Sequence, residues 1–400
     1  MIEGLRMKNI MPTKRIVNDL YLSIFSNLRR IINNIYYNNI IQKTQKFDMS
    51  KYLLGYWFPF LYPGCGFSIP RNKKLVRQIN IAAERLYRKI INLDISKLGI
   101  SDYNKKYLTD KKKILYIEIQ KYSYLLSWIL SKYNYDLSKC CFLDYGGGTG
   151  LLSLLALEAG IKNVYYNDIY DVSCRDAAVI AKAVHLKRKD YIQGDLDDII
   201  HYCKNTGIYF NAIGSYDVIE HIYDIKYFFL NIDKIAHNKC TIFMISGANP
   251  YNKKIKNELM LQHKKLENES RNKYYGWKQR DTLESYHSVR KRIIEQYIDQ
   301  NNIKLKQDEI QLLSKYTRGM VKQDIEKSVD QYIKNGVLPE IDKKFPTNTC
   351  DPYTGNWAEH LMDFDMLINI LKTTNFKSAR VVPDKDKLSS SDIIGIFASK

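Results

Sequence analysis

The sequence predicts an α/β fold built on a mostly parallel sheet. Between residues 140 and 250, short apolar runs alternate with helix-like or turn-like stretches, which is the pattern of βαβ units. The first of these runs ends in an acid and continues into spaced glycines, as a sharp turn from a strand into a helix requires. The last part of the chain is typical of a helix followed by two further strands.

The first part of the chain, residues 1–135, is predicted to be a helical region. Apolar residues at helical spacing occupy residues 14–47, 72–96 and 107–133, which favours amphipathic helices there. Residues 56–67 combine aromatic side chains with prolines and glycines, a composition that forbids a long helix and favours a packed aromatic loop or a lid.

The remainder is predicted to form three parts. Residues 136–250 contain the four apolar runs and form the cofactor-binding core. Residues 251–345 are highly charged with helical spacing, which indicates a helical insertion and a possible cover over the substrate. Residues 346–400 supply a C-terminal helix and the last two strands, so the insertion precedes those strands.

Composition is that of a globular protein with an excess of positive charge. The 400 residues are 45% hydrophobic and 26% charged, and 62 Lys and Arg face 43 Asp and Glu for a net charge of +19. The excess indicates either an anionic partner or the Lys-, Asn-, Ile- and Tyr-rich composition of an AT-biased genome. A nucleic-acid partner therefore stays open without being favoured.

Cysteine spacing and hydropathy predict a soluble cytoplasmic protein. The seven cysteines are odd in number and contain no C-x-x-C pair, which argues against a disulfide framework and a zinc site. No apolar run reaches the roughly 18 residues that a membrane span needs, and no secretory signal is evident. We expect no bound metal, because no set of His, Cys and carboxylate residues has ligand spacing.

The strongest chemical motif runs from Phe142 to Gly150, Phe-Leu-Asp-Tyr-Gly-Gly-Gly-Thr-Gly. Glycines let the backbone turn sharply and approach a ligand closely, and the following helix points its N-terminus at that ligand. The absence of Gly-Lys-Ser/Thr excludes a P-loop, and the spacing differs from the dinucleotide motif. Asp168 ends the next apolar run, roughly 20 residues further on, where an acid can accept hydrogen bonds from ribose hydroxyls.

These motifs resemble the class I S-adenosylmethionine-dependent methyltransferases, in particular the small-molecule branch that includes ubiquinone-biosynthesis methyltransferases. The resemblance rests on the loop Leu143 to Gly150, on Asp168, on Gly194-Asp195 and on the strand with Glu-His from Phe210 to His221. It covers about residues 138–250. It implies a Rossmann-like sheet of seven strands with the last one antiparallel, and S-adenosyl-L-methionine as the cofactor.

The resemblance also implies roles for individual residues. Asp144, Gly146 and Gly148 would hold the methionine portion, Asp168 the ribose, and Asp195 with Leu196 the adenine. Cofactor contacts are further expected from Thr149, Gly150, Ile169 and Ser215. Asn211 departs from the family pattern, in which an acid opens the fourth strand, and we interpret this as a peripheral change.

Candidates for the reaction itself follow the fourth strand and precede the C-terminal helix. His221 could remove a proton from an acceptor hydroxyl, and Glu220 beside it could contact the acceptor; alternatively, both serve only as a helix cap or in backbone hydrogen bonds. Trp357, Glu359 and His360 are tentative acceptor-binding residues. The alternative is a helix start in which Thr354 or Asn356 is the cap and Trp357 packs.

The function predicted is methyl transfer to a small metabolite or glycan-type acceptor. One alternative is an RNA or protein methyltransferase, suggested by the net charge; another is a non-catalytic Rossmann-like binding protein. Asn249-Pro-Tyr251 is similar to the motif of enzymes that methylate exocyclic amines on adenine, but that motif follows the fourth strand, whereas this one follows the fifth predicted strand and has one proline. We favour a structural turn there.

Overall fold

The computed structural model describes residues 72–131, 136–272 and 281–400, and these contain a seven-stranded sheet. The strands are β1 Cys141–Asp144, β2 Asn163–Asp168, β3 Asp190–Gln193, β4 Phe210–Tyr216, β5 Ala236–Ser246, β6 Ser378–Val382 and β7 Ile394–Ser399. Their order across the sheet is β3-β2-β1-β4-β5-β7-β6. Strand β7 is antiparallel to β5 and β6, and the other strands are parallel to one another. The predicted fold class, a Rossmann-like sheet with its last strand antiparallel, is confirmed.

Helices cover both faces of the sheet, which explains why its central strands are buried along most of their length. In chain order they are α1 Lys73–Ile91, α2 Asp102–Lys113, α3 Leu115–Leu130, α4 Leu151–Glu158, α5 Asp171–Ala183, α6 Leu196–Thr206, α7 Ile225–Asn231, α8 Lys253–Asn268, α9 Tyr286–Gln300, α10 Gln307–Tyr316, α11 Lys322–Asn335 and α12 Phe364–Lys372. Phe142 packs with α1, α3 and α4, whereas its neighbour Leu143 packs with α6, α7 and α12. Successive residues of a strand point to opposite faces, so each face has its own apolar core.

Strand β3 shows the limit of apolar patterning. It lies at the edge of the sheet, and Ile192 is its one buried residue. Because the other three residues of β3 are not buried, the strand has no run of apolar residues that would distinguish it from a loop. The sequence analysis identified the Gly194-Asp195 pair that follows β3 but not the strand itself.

The described helices agree with the predictions for both helical regions. Helices α1, α2 and α3 fall within the N-terminal region, while the helix predicted at 14–47 and the aromatic loop at 56–67 lie outside the described residues. The predicted insertion contains α8 to α11 between β5 and β6. Its last three helices enclose a small core of their own that includes Val289, Leu313 and Val329.

Two further predictions concern segments outside the cofactor loop. Asn211 lies at the start of β4, where its side chain accepts from the Cys141 amide and donates to the Lys239 carbonyl; it is peripheral, as interpreted. Asn249 is fully buried and donates to the carbonyls of Leu388 and Ser391, which confirms a structural turn. Within the described part of the chain, no helix has the length and apolar character needed to cross a membrane.

Candidate functional site

The glycine loop joins β1 to α4 at the carboxyl edge of the sheet. Gly146, Gly148 and Gly150 all have positive φ, of 65°, 54° and 74°, a conformation that side chains other than glycine rarely adopt. The Gly148 amide donates to Asp168 Oδ2 at 3.0 Å, and its carbonyl accepts from the Tyr166 hydroxyl at 2.6 Å. The end of β2 therefore fixes the middle of the loop.

The space beside the three glycines differs. A Cβ at Gly146 would lie 2.6 Å from the Val218 side chain, and one at Gly150 would lie 2.1 Å from Arg188. At Gly148 the nearest atom belongs to the Tyr107 ring, 3.8 Å away. Gly148 is therefore the position where a ligand can approach the loop backbone, although the resemblance implied the same role for Gly146 and Gly148.

Asp144 is buried beneath the loop and contacts the start of α4. Its Oδ2 accepts from the amide of Ser153 at 3.0 Å and from the Ser153 hydroxyl at 2.6 Å. Burial raises the pKa of the Asp144 carboxyl above its usual range. These contacts hold the first turn of α4 against β1.

Asp168 ends β2 with both carboxylate oxygens anchored. Its Oδ1 accepts from the Tyr170 amide at 3.0 Å, opposite the Gly148 amide on Oδ2. Burial raises the pKa of Asp168 to about 6. The Tyr166 hydroxyl also lies 3.3 Å from Oδ2 and donates to it. Oδ1 accepts one hydrogen bond and keeps a further lone pair, so Asp168 can still accept from a ligand hydroxyl.

The residues predicted to contact adenine lie beyond Asp168 at the same edge. Asp195 begins α6, where its Oδ1 accepts from the amides of Asp197 and Asp198. Leu196 is buried, whereas Ile169 is 56% exposed directly after Asp168. Burial raises the pKa of Tyr145, and the nearby charges of Asp195 and Asp168 raise it further.

Two buried hydroxyls of the predicted cofactor set have no hydrogen-bond partner among the described residues. They belong to Thr149 in the loop and Ser215 in β4, each 1% exposed. Buried polar groups are usually satisfied, because an unmade hydrogen bond costs about 1 to 3 kcal/mol. Both hydroxyls are thus available to a polar ligand.

Helix α2 contributes a wall over the loop that the sequence analysis did not assign to the site. Tyr107, which faces Gly148, stacks on Tyr103 with ring centroids 5.6 Å apart. Lys111, one turn further, lies 4.9 Å from the Tyr107 ring and donates to the Tyr122 hydroxyl at 2.6 Å. The helix is fixed to α5, since Asn104 donates to Asp176 at 2.7 Å.

Arg188 is a second residue that the sequence analysis missed. It is 2% exposed, and its guanidinium donates to the Gly150 carbonyl, the Ala177 carbonyl and the Ser153 hydroxyl at 2.8, 2.8 and 2.9 Å. It thereby ties the end of the glycine loop to α4 and α5. Its sequence surroundings, Leu-Lys-Arg-Lys-Asp, are those of an ordinary charged loop and give no signal.

A second group of candidates lies where β4 ends. Asp217 has positive φ, and the Gly247 amide donates to Asp217 Oδ1 at 3.0 Å and to Glu220 Oε1 at 3.4 Å. The side chain of Asp217 is exposed, unlike that of Glu220. Burial, followed by the charges of Asp217 and Glu359, raises the pKa of Glu220 well above its usual range.

The segment before α12 folds over this group and brings the predicted acceptor residues together. The His360 amide donates to the Glu220 carbonyl at 3.0 Å, and His221 Nδ1 lies 3.0 Å from the Trp357 carbonyl. Trp357 stacks on His360 with centroids 4.2 Å apart. Glu359 Oε1 lies 3.7 Å from His221 Nε2. The alternative cap at Thr354 or Asn356 is wrong, because Asp363 caps α12 by accepting from the Met366 amide. The packing of Trp357 that went with this alternative is observed, since its ring also stacks on Tyr223.

The two groups adjoin. Val218, whose side chain abuts the Gly146 position, lies between Asp217 and the short 3-10 turn Ile219–His221. The charge of Lys111 acts to lower the pKa of both Asp144 and Asp217. The strand order places β1 between β2 and β4, so Asp168 and Glu220 follow the strands on either side of the loop.

Comparison with known proteins gives no family assignment for this chain. No family model and no curated protein matches it. Solved structures match in part. One is an S-adenosylmethionine-dependent methyltransferase from Clostridium acetobutylicum, at 20% identity over 38% of this chain and 59% of that one, with a TM-score of 0.30.

A second is magnesium protoporphyrin IX methyltransferase from Synechocystis with bound S-adenosylmethionine, at 17% identity over 38% of this chain and 66% of that one, with a TM-score of 0.27. This chain spans less than two thirds of the length of either protein. Similarity at this level gives no information on an activity or an acceptor, so the assignment of the fold stands on the sheet itself.

Proposed function

We propose that the chain is an S-adenosylmethionine-dependent methyltransferase whose cofactor lies along the glycine loop. The observation that carries the proposal is the open side of Gly148, bounded at 3.8 Å by the ring of Tyr107. In open α/β sheets, ligands bind outside the carboxyl ends of the strands where the strand order reverses. Strands β1 and β4 meet at that point in this sheet.

The surrounding residues fit the parts of this cofactor. Asp168 can accept from the ribose hydroxyls, and the unpartnered hydroxyls of Thr149 and Ser215 can bind polar atoms. The exposed face of Ile169 can cover the adenine beside Leu196 and Asp195. We assign Asp144 to positioning, because its contacts hold Ser153 and the start of α4.

The cofactor would supply a methyl group on a positively charged sulfonium, an electrophile that reacts with an aligned nucleophile. What the chain contributes is position: orientation of two bound reactants accounts for much of the acceleration in such transfers. The stacked pair Tyr103–Tyr107 would exclude water from one side of the loop. The group at the end of β4 faces the other side, where we place the acceptor.

The acceptor is proposed to be a small metabolite or a glycan-type molecule held by Glu220, His221, Trp357, Glu359 and His360. Glu220 is fully buried, and the side chains of His221 and Glu359 are 28% and 32% exposed. Two partly exposed side chains beside a buried carboxyl can contact a small acceptor group. The carbonyl of Trp357 can only accept, so it orients His221 with the proton on Nδ1, leaving Nε2 as the atom that could take a proton from a hydroxyl.

Calorimetric titration with S-adenosylmethionine and S-adenosylhomocysteine tests the proposal. We expect saturable binding of both, with a Kd on the order of tens of micromolar or tighter. Failure to bind either compound would reject the proposal and favour a non-catalytic binding protein. An RNA acceptor would show a steep loss of affinity with salt, because phosphate contacts release counterions, whereas a small neutral acceptor would show a flat response.

A further inference from the structure

Three potential metal ligands converge at the end of β4. One side-chain atom each from Glu220, His221 and Glu359 can be chosen so that all lie within 4.8 Å of one another. Glu220 and His221 belong to the 3-10 turn after β4, whereas Glu359 lies in the segment before α12. Ligand spacing was absent from the sequence because the third residue comes from a different part of the chain.

Glu220 gives the first indication that something positive belongs there. Its side chain is fully buried, and its Oε2 has no hydrogen-bond partner among the described residues. Asp217 lies beside it and shares the Gly247 amide. Asp217 is exposed, whereas Glu220 is fully buried. Two carboxylates this close repel one another, and a bound cation would reduce that repulsion and give Glu220 Oε2 a partner.

The orientation of the His221 ring is the second indication of a cation site, and it does not depend on charge. Its Nδ1 donates to the Trp357 carbonyl at 3.0 Å, and the other ring nitrogen points toward Glu359 Oε1 at 3.7 Å. Histidines that bind metals commonly donate one ring N–H to a backbone carbonyl, which fixes the tautomer and directs the opposite nitrogen at the ion. The contact with Trp357 is of this type.

We propose that Glu220, His221 and Glu359 bind a divalent cation, with Asp217 as a supporting carboxylate. Two atoms bound to one ion at about 2.1 Å are at most about 4.2 Å apart. Because all three atoms lie within 4.8 Å of one another, their separations need to close by no more than roughly half an ångström when an ion enters. Two carboxylates and one imidazole suit Mg²⁺, Mn²⁺ or Zn²⁺ better than a soft thiolate-binding ion.

The role of the ion in catalysis rests on the proposed function, whereas the binding of the ion to these three residues does not. Next to the cofactor loop, a cation with open coordination positions would hold an acceptor oxygen and make its hydroxyl more acidic. His221 would then act as a ligand instead of as the base predicted from the sequence. Three protein ligands leave positions for such an oxygen.

Titration of the full chain with Mn²⁺, followed by electron paramagnetic resonance, tests the site without cofactor or acceptor. We expect one saturable ion per chain with a Kd below about 100 µM. Glu359→Gln should weaken binding at least tenfold, because it removes one charged ligand from a set of three. Glu258→Gln, an exposed position on α8, is the matched control and should bind as the wild type does.

A second measurement on the wild type keeps the proposal testable if a variant misfolds. Electron spin-echo modulation of bound Mn²⁺ should show coupling to a directly bonded ¹⁴N, which carboxylates alone do not provide. No saturable binding, no ¹⁴N coupling, or equal affinity of a folded Glu359→Gln variant would overturn the proposal. Binding of S-adenosylmethionine, measured separately, distinguishes such a failure from a failure of the proposed function.

Discussion

Gly146, Gly148 and Gly150 share a left-handed backbone but differ in what a side chain would meet. At Gly146 and Gly150 a Cβ would collide with Val218 and Arg188, whereas at Gly148 it would meet only the Tyr107 ring at 3.8 Å. A bulky residue at either outer position would therefore damage the loop itself. Gly148 is the position where a substitution acts mainly on a ligand.

Gly148→Arg is predicted to abolish binding of S-adenosylmethionine while the chain stays folded. The arginine would occupy the space between the loop and Tyr107, and the left-handed backbone would cost about 1 to 2 kcal/mol. We expect calorimetry to show at least a hundredfold loss of affinity. Gly207→Arg is the matched control, since Gly207 also has positive φ, of 69°, with no atom within 4 Å of its Cβ position. Equal affinities of the two variants would remove Gly148 from the site.

Asp168 gives cofactor binding a predicted pH dependence. The carboxylate accepts hydrogen bonds from ribose hydroxyls more strongly than the neutral acid does, and burial raises the pKa of Asp168 to about 6. Affinity should be constant above pH 7 and fall as the pH drops through 6, because the protonated form accumulates. At pH 5 about one tenth of the chains keep the carboxylate, so Kd should rise about tenfold.

The control for this prediction is Asp168→Asn, which cannot titrate. Its affinity should be lower than that of the wild type at pH 7.5 and nearly independent of pH between 5 and 7.5. Near-ultraviolet circular dichroism at pH 5 verifies that the fold persists. A wild-type affinity that does not change between pH 7.5 and pH 5 would move the ribose contact away from Asp168.

The position of a residue in the candidate cofactor site was predictable where a chemically suitable residue stands at the end of a recognisable strand. Asp168 ends an apolar run, so its position at the carboxyl edge followed from the pattern and is confirmed. The distinction between Gly146 and Gly148 was not predictable, because it depends on Val218 and Tyr107. Both of these belong to other elements, and no spacing in the sequence relates them to the loop.

Among the elements, the loop, α4 and α5 are joined through Arg188. The guanidinium satisfies the carbonyls of Gly150 and Ala177 and the hydroxyl of Ser153. It also lies 5.2 Å from the Tyr166 ring centroid. The Ser153 hydroxyl in turn donates to Asp144. One buried hydrogen-bond network therefore joins the glycine loop to the start of α4.

Arg188→Ala is predicted to destabilise the fold by about 2 to 4 kcal/mol, because it leaves buried acceptors without donors. Urea unfolding followed by circular dichroism measures the change. Arg175→Ala on α5 is the control: its ion pair with Asp171 is exposed, at 72% and 53%, and such pairs contribute about 0 to 1 kcal/mol. If Arg188→Ala lowers the free energy of unfolding no more than the control does, water molecules satisfy the acceptors that Arg188 leaves.

Elements were predictable to different degrees for a physical reason. Helices and central strands repeat an apolar pattern over many residues, and their predictions are confirmed. The edge strand β3 exposes most of its side chains, and the turn at Ile219–His221 is too short to have a period. The wall formed by α2 was predicted as a helix but not as part of the site, since helical periodicity does not show which element a helix faces.

Across the whole molecule, the insertion and the segment before α12 meet at Glu267 on α8. This buried carboxylate accepts from Arg290 on α9 and, at 2.8 Å, from the hydroxyl of Thr349. Arg318 donates to the carbonyls of Thr347 and Asn348 at 2.8 and 3.2 Å. The start of the segment that contains Trp357 and Glu359 is therefore anchored to the insertion by hydrogen bonds.

Glu267→Gln is predicted to loosen this segment while the cofactor loop stays intact. The substitution leaves Arg290, which has no exposed surface, as a buried charge without its partner, at a cost of about 3 to 5 kcal/mol. Hydrogen exchange should therefore accelerate in residues 347–361 and in α8 and α9, where the free energy of local opening falls. Affinity for S-adenosylmethionine should change less than twofold, because none of the described contacts of Asp168 or Gly148 involves the insertion. Faster exchange confined to α8 and α9, with residues 347–361 as protected as in Glu258→Gln, would show that the segment folds onto Glu220 and His221 without support from the insertion.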